Sequence, residues 1–365
     1  MWEVLEEDLA AISIGAAAMG TGGGGNAYLG MIHLREQLRS GLRVHVVTPD
    51  ELRDDWFLLA GGFMGAPVVT YEKLRQGHEE IRAVEALQEH VGRRIDAIAP
   101  MEIGGENSMT ALSIAAELDI PVVDGDGMGR AFPELQMVTF LMYGGQPWPA
   151  ALADDKGNAV IIQRVRDARS LERIARAITV EMGGSAGLAM APMSGAECQR
   201  SIVPGTLSLT REIGRAALVA RAAKRSTTEA VLSVTGGSRL FRGKVVDVER
   251  RLTGGFVVGH IDLEGFDDDA GARVRIDFQN ENLILWRDGD AVVSVPDLIT
   301  LLTTDEGEPV TTELVRYGIR ADVVGIPCHP RLATETALRF VGPRAFGYEV
   351  EYRPLPRTGV TAERG

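Results

Sequence analysis

The chain has 365 residues, which is too many for one hydrophobic core of ordinary size, so two domains are expected. Its hydrophobic content of 45% and charged content of 24% are typical of a globular protein in water. The formal net charge of −13 argues against a surface that binds nucleic acid, because such a surface needs Lys and Arg to neutralise phosphates. No apolar run is long enough to span a bilayer, so no membrane partner is predicted.

Cysteine usage and the start of the chain both favour a cytoplasmic location. Cys198 and Cys328 lie far apart and form neither a disulfide framework nor a CxxC motif. The start of the chain is acidic and lacks the basic residues of a signal peptide.

Helices and strands alternate through the first third of the sequence. Leu5, Leu9, Ile12, Ala16 and Met19 have the spacing of one helix face. Helices are expected at 5–19, 27–40, 79–91 and 108–118, and strands at 43–47, 56–60, 95–99 and 120–123. This alternation indicates an α/β layer with a largely parallel sheet.

The pattern changes after residue 137. Strands are expected at 137–142, 160–163 and 188–191, and helices at 171–182 and 207–221, the second after Thr206 as its N-cap. Beyond Thr228 the predicted elements are short strands bounded by turns, at 231–234, 240–250, 256–261, 274–278, 283–287 and 291–295. They are typical of an antiparallel sheet, and the last residues, 358–365, are expected to fray.

These patterns predict an N-terminal α/β domain followed by a β-rich C-terminal domain. We assign residues 1–165 to the α/β domain, 166–226 to its continuation or a connection, and 227–365 to the β-rich domain.

Two glycine-rich loops, at 101–110 and 122–134, carry an unusual number of polar side chains. These side chains are Glu102, Glu106, Asn107, Asp124, Asp126, Arg130 and Glu134. A turn needs only one or two such residues. Because ligands bind at the carboxyl ends of strands in an α/β sheet, we expect these loops and the loop at 61–67 to form one site.

Clustered carboxylates can act as a general base or hold a hard cation. We predict Asp124 or Asp126 as the base, with Glu102 and Glu134 assisting. If a divalent metal is used, Asp124, Asp126 and Glu102 would bind it, although the sequence does not require a metal. The alternative for any single Asp is a side chain that closes a turn.

The glycines at 20–25 fit the G-x-G-x-x-G pattern, with Asp50 after a following strand. That fingerprint needs a strand before the glycines, and here the preceding run has helical spacing, so no nucleotide cofactor is expected. Their backbone amides at a helix N-terminus could instead hold a polar group. The predicted substrate-binding residues are Gly22, Gly23, Gly24, Gly25, Asn107, Arg130 and Arg344. For Arg344, a structural salt bridge is the alternative to binding a substrate carboxylate.

Five segments together resemble the S-methyl thiohydantoin desulfurase-like family. They are residues 21–25, 62–67, 102–107, 123–134 and 342–348. The resemblance extends over about residues 8–354 and implies an N-terminal α/β domain and a β-rich C-terminal domain. It also implies a reaction on a small-molecule substrate, in which water replaces the methylthio group of an S-methyl thiohydantoin to give hydantoin and methanethiol.

Other functions stay open at this point. One is hydrolysis of a related hydantoin or oxoproline ring, and a weaker one is a nucleotide-dependent oxidoreductase. Since the family is associated with hydantoinase and oxoprolinase-type proteins, the chain could also be a non-catalytic partner subunit of a hydantoinase-like protein. We further predict that the chain forms a homo-oligomer.

Overall fold

The structure is a computed structural model that describes residues 1–65, 69 and 76–358. Two predictions therefore lie largely outside the described residues. They are the end of the loop expected at 61–67 and the fraying expected at 358–365.

The first part of the chain forms an eight-stranded mixed sheet. Its strands are β1 (Trp2–Glu3), β2 (His45–Val47), β3 (Phe57–Gly65), β4 (Ala97–Pro100), β5 (Val122–Val123), β7 (Ala150–Ala153), β8 (Ala159–Ile162) and β9 (Ser185–Ser194). The strand order is β1-β2-β5-β4-β3-β9-β7-β8. The adjoining strands β2, β5, β4 and β3 are parallel, whereas β9, β7 and β8 are antiparallel. Two further short strands, β6 (Gly125–Asp126) and β10 (Val203–Pro204), pair with each other.

The second sheet is antiparallel throughout. Its strands are β11 (Ser238–Thr253), β12 (Phe256–Gly265), β13 (Arg273–Gln279), β14 (Glu281–Arg287), β15 (Asp290–Ser294), β16 (Leu298–Thr303), β17 (Pro309–Val310) and β18 (Arg320–Ile326). They lie in the order β15-β14-β13-β12-β11-β18-β16-β17. The predicted combination of an α/β part and a β-rich part is confirmed.

The helices pack mainly around the first sheet. Those of the described residues are α1 (Leu9–Met19), α2 (Ala27–Arg39), α3 (Glu79–Val91), α4 (Glu106–Leu118), α5 (Thr139–Met142), α6 (Ala168–Glu181), α7 (Gly195–Ser201), α8 (Thr206–Ala222), α9 (Thr227–Thr235) and α10 (Glu335–Val341). Within the described ranges, none is both long enough and apolar enough to cross a membrane.

Three sequence predictions of local structure are wrong. Residues 137–142 form the end of a 3-10 turn and then α5, because a short buried apolar run does not distinguish a helix from a strand. Residues 231–234 lie in α9, whose start is capped by the Ser226 hydroxyl. The predicted N-cap Thr206 is the first residue of α8, and Gly205 is the cap.

Helices α1 and α8 approach each other closely at a pair of glycines. A Cβ atom on Gly15 would lie 1.9 Å from the carbonyl oxygen of Thr210, and one on Gly214 would lie 1.8 Å from that of Ala11. Each glycine thus allows the backbone of the other helix to come within contact distance. This pair fixes the spacing between the start of the α/β part and the helix that follows β10.

The two sheets are joined through the buried side chain of Arg130. Its guanidinium donates to the Thr21 hydroxyl at 2.6 Å, to the Asn282 carbonyl at 2.9 Å and to the Asp297 carbonyl at 2.7 Å. Thr21 belongs to the glycine-rich loop after α1, whereas Asn282 and Asp297 belong to the second sheet region. The backbone adds direct links, because Asn282 N donates to Thr21 O at 2.8 Å and Thr312 N donates to Gly22 O at 2.7 Å.

We expect Gly15→Ala and Gly214→Ala each to lower the free energy of unfolding by about 1–3 kcal/mol, because the added methyl group collides with backbone. Alanine has a higher helix propensity than glycine, so helix propensity alone would instead raise the free energy of unfolding by up to about 1 kcal/mol. Urea unfolding separates the two results. Glu212→Ala on the exposed face of α8 is the control, with an expected change within about 0.5 kcal/mol.

We expect Arg130→Met to lower the free energy of unfolding by about 3–5 kcal/mol, because four buried acceptors, on Thr21, Ala131, Asn282 and Asp297, lose their donor. Arg344→Met is the matched control. Arg344 pairs with Glu351 on the surface, where ion pairs contribute little, so its loss leaves stability nearly unchanged. Equal unfolding curves for the two variants would contradict the role given to Arg130.

Candidate functional site

A cleft lies where loops of the first sheet meet the turn between β13 and β14. Its polar lining consists of Glu102, Glu106, Asn107, Glu134, Arg176, Asn280 and Glu281. Its apolar lining includes Phe63, Met64, Met101, Met128, Phe132 and Leu135. A concave, partly apolar surface with a few converging polar groups is typical of a small-molecule site.

Glu102 is the best-positioned carboxyl group of the predicted set. It follows β4 and is only 4% exposed. Asn107 Nδ2 donates to its Oε1 and the Phe132 amide donates to its Oε2, both at 3.1 Å. Burial raises the pKa of Glu102 to about 8, in spite of these two donors. The group is therefore held in one orientation and titrates near neutral pH.

Asn107, in the first turn of α4, orients Glu102. Its Oδ1 accepts from the Phe63 amide at 2.7 Å, and its Nδ2 also donates to the Phe63 carbonyl at 3.3 Å. This pair of bonds attaches the loop after β4 to strand β3. Asn107 thus lines the cleft, and its amide also joins two segments of the backbone.

Asp126 lies behind the cleft and is fully buried. Its Oδ2 accepts from the amides of Ile103, Met128 and Gly129 at 2.8–2.9 Å. Burial raises the pKa of Asp126 to about 7 against the effect of these donors. The carboxyl group connects the two glycine-rich loops, so its position sets that of Glu102.

Asp124 points away from the cleft, toward the start of α8. Its Oδ1 accepts from the amide of Ser208 at 3.0 Å, and its Oδ2 accepts from the hydroxyl of the same residue. This is the contact of an acidic group with a helix N-terminus. The structure thus brings Glu102 and Glu134 to the cleft and leaves Asp124 in a capping position.

The remaining predicted residues also fall into two groups, those that line the cleft and those that make structural contacts elsewhere. Gly24 and Gly25 line the cleft, whereas Gly22 binds Thr312 of the second sheet region. Glu134 lines the cleft and accepts from the Gln136 side chain. Arg130 is the buried link between the two sheets, and Arg344 is paired with Glu351 on the surface. Neither arginine lines the cleft.

The predicted metal ligands are not brought together. Asp124 and Asp126 are held by separate hydrogen bonds and Glu102 lies in the cleft. Among the described residues, the one group of three possible ligand side chains with atoms within 4.8 Å of one another is Asp247, His260 and Asp262, on β11 and β12. Asp262 is already bound through both oxygens to Arg275 at 2.7 Å. This group forms part of a cross-strand ion-pair network on the second sheet.

Glu281, at the start of β14, is a cleft residue that the sequence analysis missed. It is 3% exposed, and its Oε2 accepts no hydrogen bond from the residues that the structure describes. Burial raises the pKa of Glu281 well above its usual value, and the charge of Glu102 raises it further. In sequence it stands between Asn280 and Asn282, a composition typical of a turn, and only the docking of the two sheets places it beside Glu102.

Arg176 on α6 is the second cleft residue that was missed. Its Nε donates to Glu172 at 2.7 Å and its Nη2 donates to the Pro133 carbonyl at 2.9 Å. The guanidinium lies 4.5 Å from the centre of the Phe256 ring. The sequence shows that Arg176 and Glu172 have helical spacing. Arg176 is far from the glycine-rich loops along the chain, so the sequence alone does not connect it with them.

Comparison with known proteins gives both domains a family. The S-Me-THD-like N-terminal domain model matches residues 7–164, and the S-Me-THD-like C-terminal domain model matches residues 166–355. The chain is similar to a protein from Chromobacterium violaceum of known crystal structure, with 28% identity and a TM-score of 0.82. That match covers 98% of this chain and 100% of the other. No curated protein matches. With both domain models matched along nearly its full length, the chain belongs to the S-Me-THD-like family.

Proposed function

We propose that this protein is a hydrolase of a small cyclic amide-like ring, and that it removes the methylthio group of an S-methyl thiohydantoin. The observation that carries the proposal is Glu102, a buried carboxyl group that lines the cleft and has a pKa of about 8. A general base works best when its pKa lies near the working pH. Membership of the S-Me-THD-like family supports the choice of ring.

The reaction needs a base for water, donors for the ring oxygen and a proton for the leaving sulfur. Ionised Glu102 takes a proton from water as the water oxygen bonds to the ring carbon that carries sulfur. The electron pair of the carbon–nitrogen double bond moves onto the ring nitrogen. It then reforms that bond as the carbon–sulfur bond breaks. The proton held by Glu102 and the remaining proton of the water end on the ring nitrogen and on the departing sulfur, which gives hydantoin and methanethiol and leaves Glu102 ionised again.

The two donors on Glu102 favour this role. Asn107 and the Phe132 amide occupy one lone pair on each oxygen and fix the plane of the carboxylate. Each oxygen keeps a further acceptor position for water. Because the base is already oriented, the activation free energy does not include the cost of ordering it.

Backbone amides and one side chain could hold the substrate. Gly24 and Gly25 bring backbone to the cleft without side chains in the way, and their amides could bind the ring oxygen. Arg176 is held at the edge of the same cleft by Glu172 and could contact a ring substituent. A hydantoinase-like partner and a homo-oligomer stay predictions from the sequence.

We expect Glu102→Gln to lower kcat/KM for methanethiol release by about 10²–10⁴-fold, because the base is removed while the shape of the side chain is kept. The assay is thiol release from S-methyl thiohydantoins by the purified protein. Asp124→Asn is the comparison, with an expected loss below about tenfold once its folding has been verified. Full activity of Glu102→Gln would contradict the proposal. A loss of activity in Asp124→Asn alone would identify Asp124 as the base.

The pH dependence follows from the raised pKa. Glu102 must be ionised to accept a proton, and its ionised fraction reaches one half at about pH 8. We therefore expect kcat/KM to rise by about ninefold from pH 6 to pH 7 and by about fivefold from pH 7 to pH 8, and to level off at higher pH. A profile that is flat over this range, measured with buffers of constant ionic strength, would show that another group is the base.

A further inference from the structure

Glu281 is a buried acid in the cleft that has no part in the steps proposed for Glu102. It lines the cleft although it belongs to the second sheet, and it is 3% exposed. Asn280, the residue before it, has a φ of 57°, which turns the chain sharply between β13 and β14. The turn thus delivers Glu281 to a cleft that is otherwise formed mainly by loops of the first part of the chain.

The surroundings of Glu281 disfavour its charged form. Its Oε2 has no hydrogen-bond partner among the residues described, and an unpaired buried carboxylate is very costly. The nearby carboxyl groups of Glu102 and Glu313 act in the same direction, whereas the guanidinium of Arg130 opposes them. Glu281 is thus expected to keep its proton at neutral pH, unlike an exposed carboxyl group.

The glycine-rich loop leaves room for this side chain. A Cβ atom on Gly23 would lie 2.2 Å from Glu281 Oε1, far inside contact distance. The loop therefore packs directly on the carboxyl group and holds it in the cleft. Gly23 has this role through packing, in contrast with Gly24 and Gly25, which line the cleft themselves.

We propose that Glu281 is the general acid that gives its proton to the departing sulfur. This inference rests on the proposed function. As the carbon–sulfur bond breaks, its electron pair goes to sulfur and the Glu281 proton bonds to that sulfur, giving methanethiol. The product ring carries a hydroxyl group beside the carbon–nitrogen double bond. Protonated Glu102 then gives its proton to the ring nitrogen, and the hydroxyl proton returns to Glu281, so that both residues regain their starting states.

Variation of the leaving group tests this role directly. A good leaving thiolate needs no proton, so the acid matters less as the thiol becomes more acidic. We expect Glu281→Gln to lower kcat for the S-methyl substrate by about 10²-fold or more. For an S-(4-nitrophenyl) analogue of the same ring, we expect a loss below about tenfold. Equal losses for the two substrates would indicate a structural role and overturn the proposal.

Two further variants separate position from chemistry. Glu281→Asp keeps the acid on a shorter arm and should retain part of the activity toward the S-methyl substrate. Gly23→Ala displaces the carboxyl group and should show the same selective loss as Glu281→Gln. Thermal unfolding verifies that each variant is folded.

The protonation state gives a readout that does not depend on turnover. We expect the infrared spectrum at neutral pH to contain a carboxylic-acid band that is absent from Glu281→Gln. A carboxylic-acid region that Glu281→Gln leaves unchanged would mean that Glu281 is ionised and would overturn the proposal. If the parent releases no thiol from either substrate, the proposed function fails. An acid band lost only in Glu281→Gln would then still establish Glu281 as a neutral buried acid.

Discussion

The buried Arg130 guanidinium contacts both sheets and holds them together. It binds Thr21 in the first part and backbone carbonyls at Asn282 and Asp297 in the second. Burial lowers the pKa of Arg130 to about 10. A cation in such surroundings requires close acceptors on every side. The acceptors come from Thr21 in the glycine-rich loop, from Ala131, from Asn282 in β14 and from Asp297 just before β16. The glycine-rich loop and the start of β14 also line the cleft.

The chemistry of the cleft follows from this docking. Glu102 comes from a loop of the first sheet and Glu281 from the first position of a strand in the second. Burial is the main cause of the raised pKa of both groups. Two nearby carboxyl groups with different proton affinities are a common basis for acid–base catalysis. The buried Asp126 holds the loops in register and indirectly supports this pair.

Much of the architecture could be predicted from sequence, because hydrophobic periodicity and turn composition are local signals. The α/β and β-rich parts and the position of Glu102 beside Asn107 were readable in this way. The direction of Asp124 was not, since an Asp in a glycine-rich loop can cap a helix or face a ligand. The hydrogen bond from Ser208, 84 residues further along the chain, holds Asp124 in the capping position. Glu281 could not be connected with Glu102, because only the packing of the two sheets brings them together.

The most direct test of these roles is a crystal structure of the protein with the hydantoin product bound. We expect the ring to lie in the cleft, with the oxygen derived from water within hydrogen-bond distance of the Glu102 carboxyl group and with the Glu281 carboxyl group beside the ring carbon that carried sulfur. A ring bound beside Asp124, or at any place that leaves both carboxyl groups without contact, would contradict them.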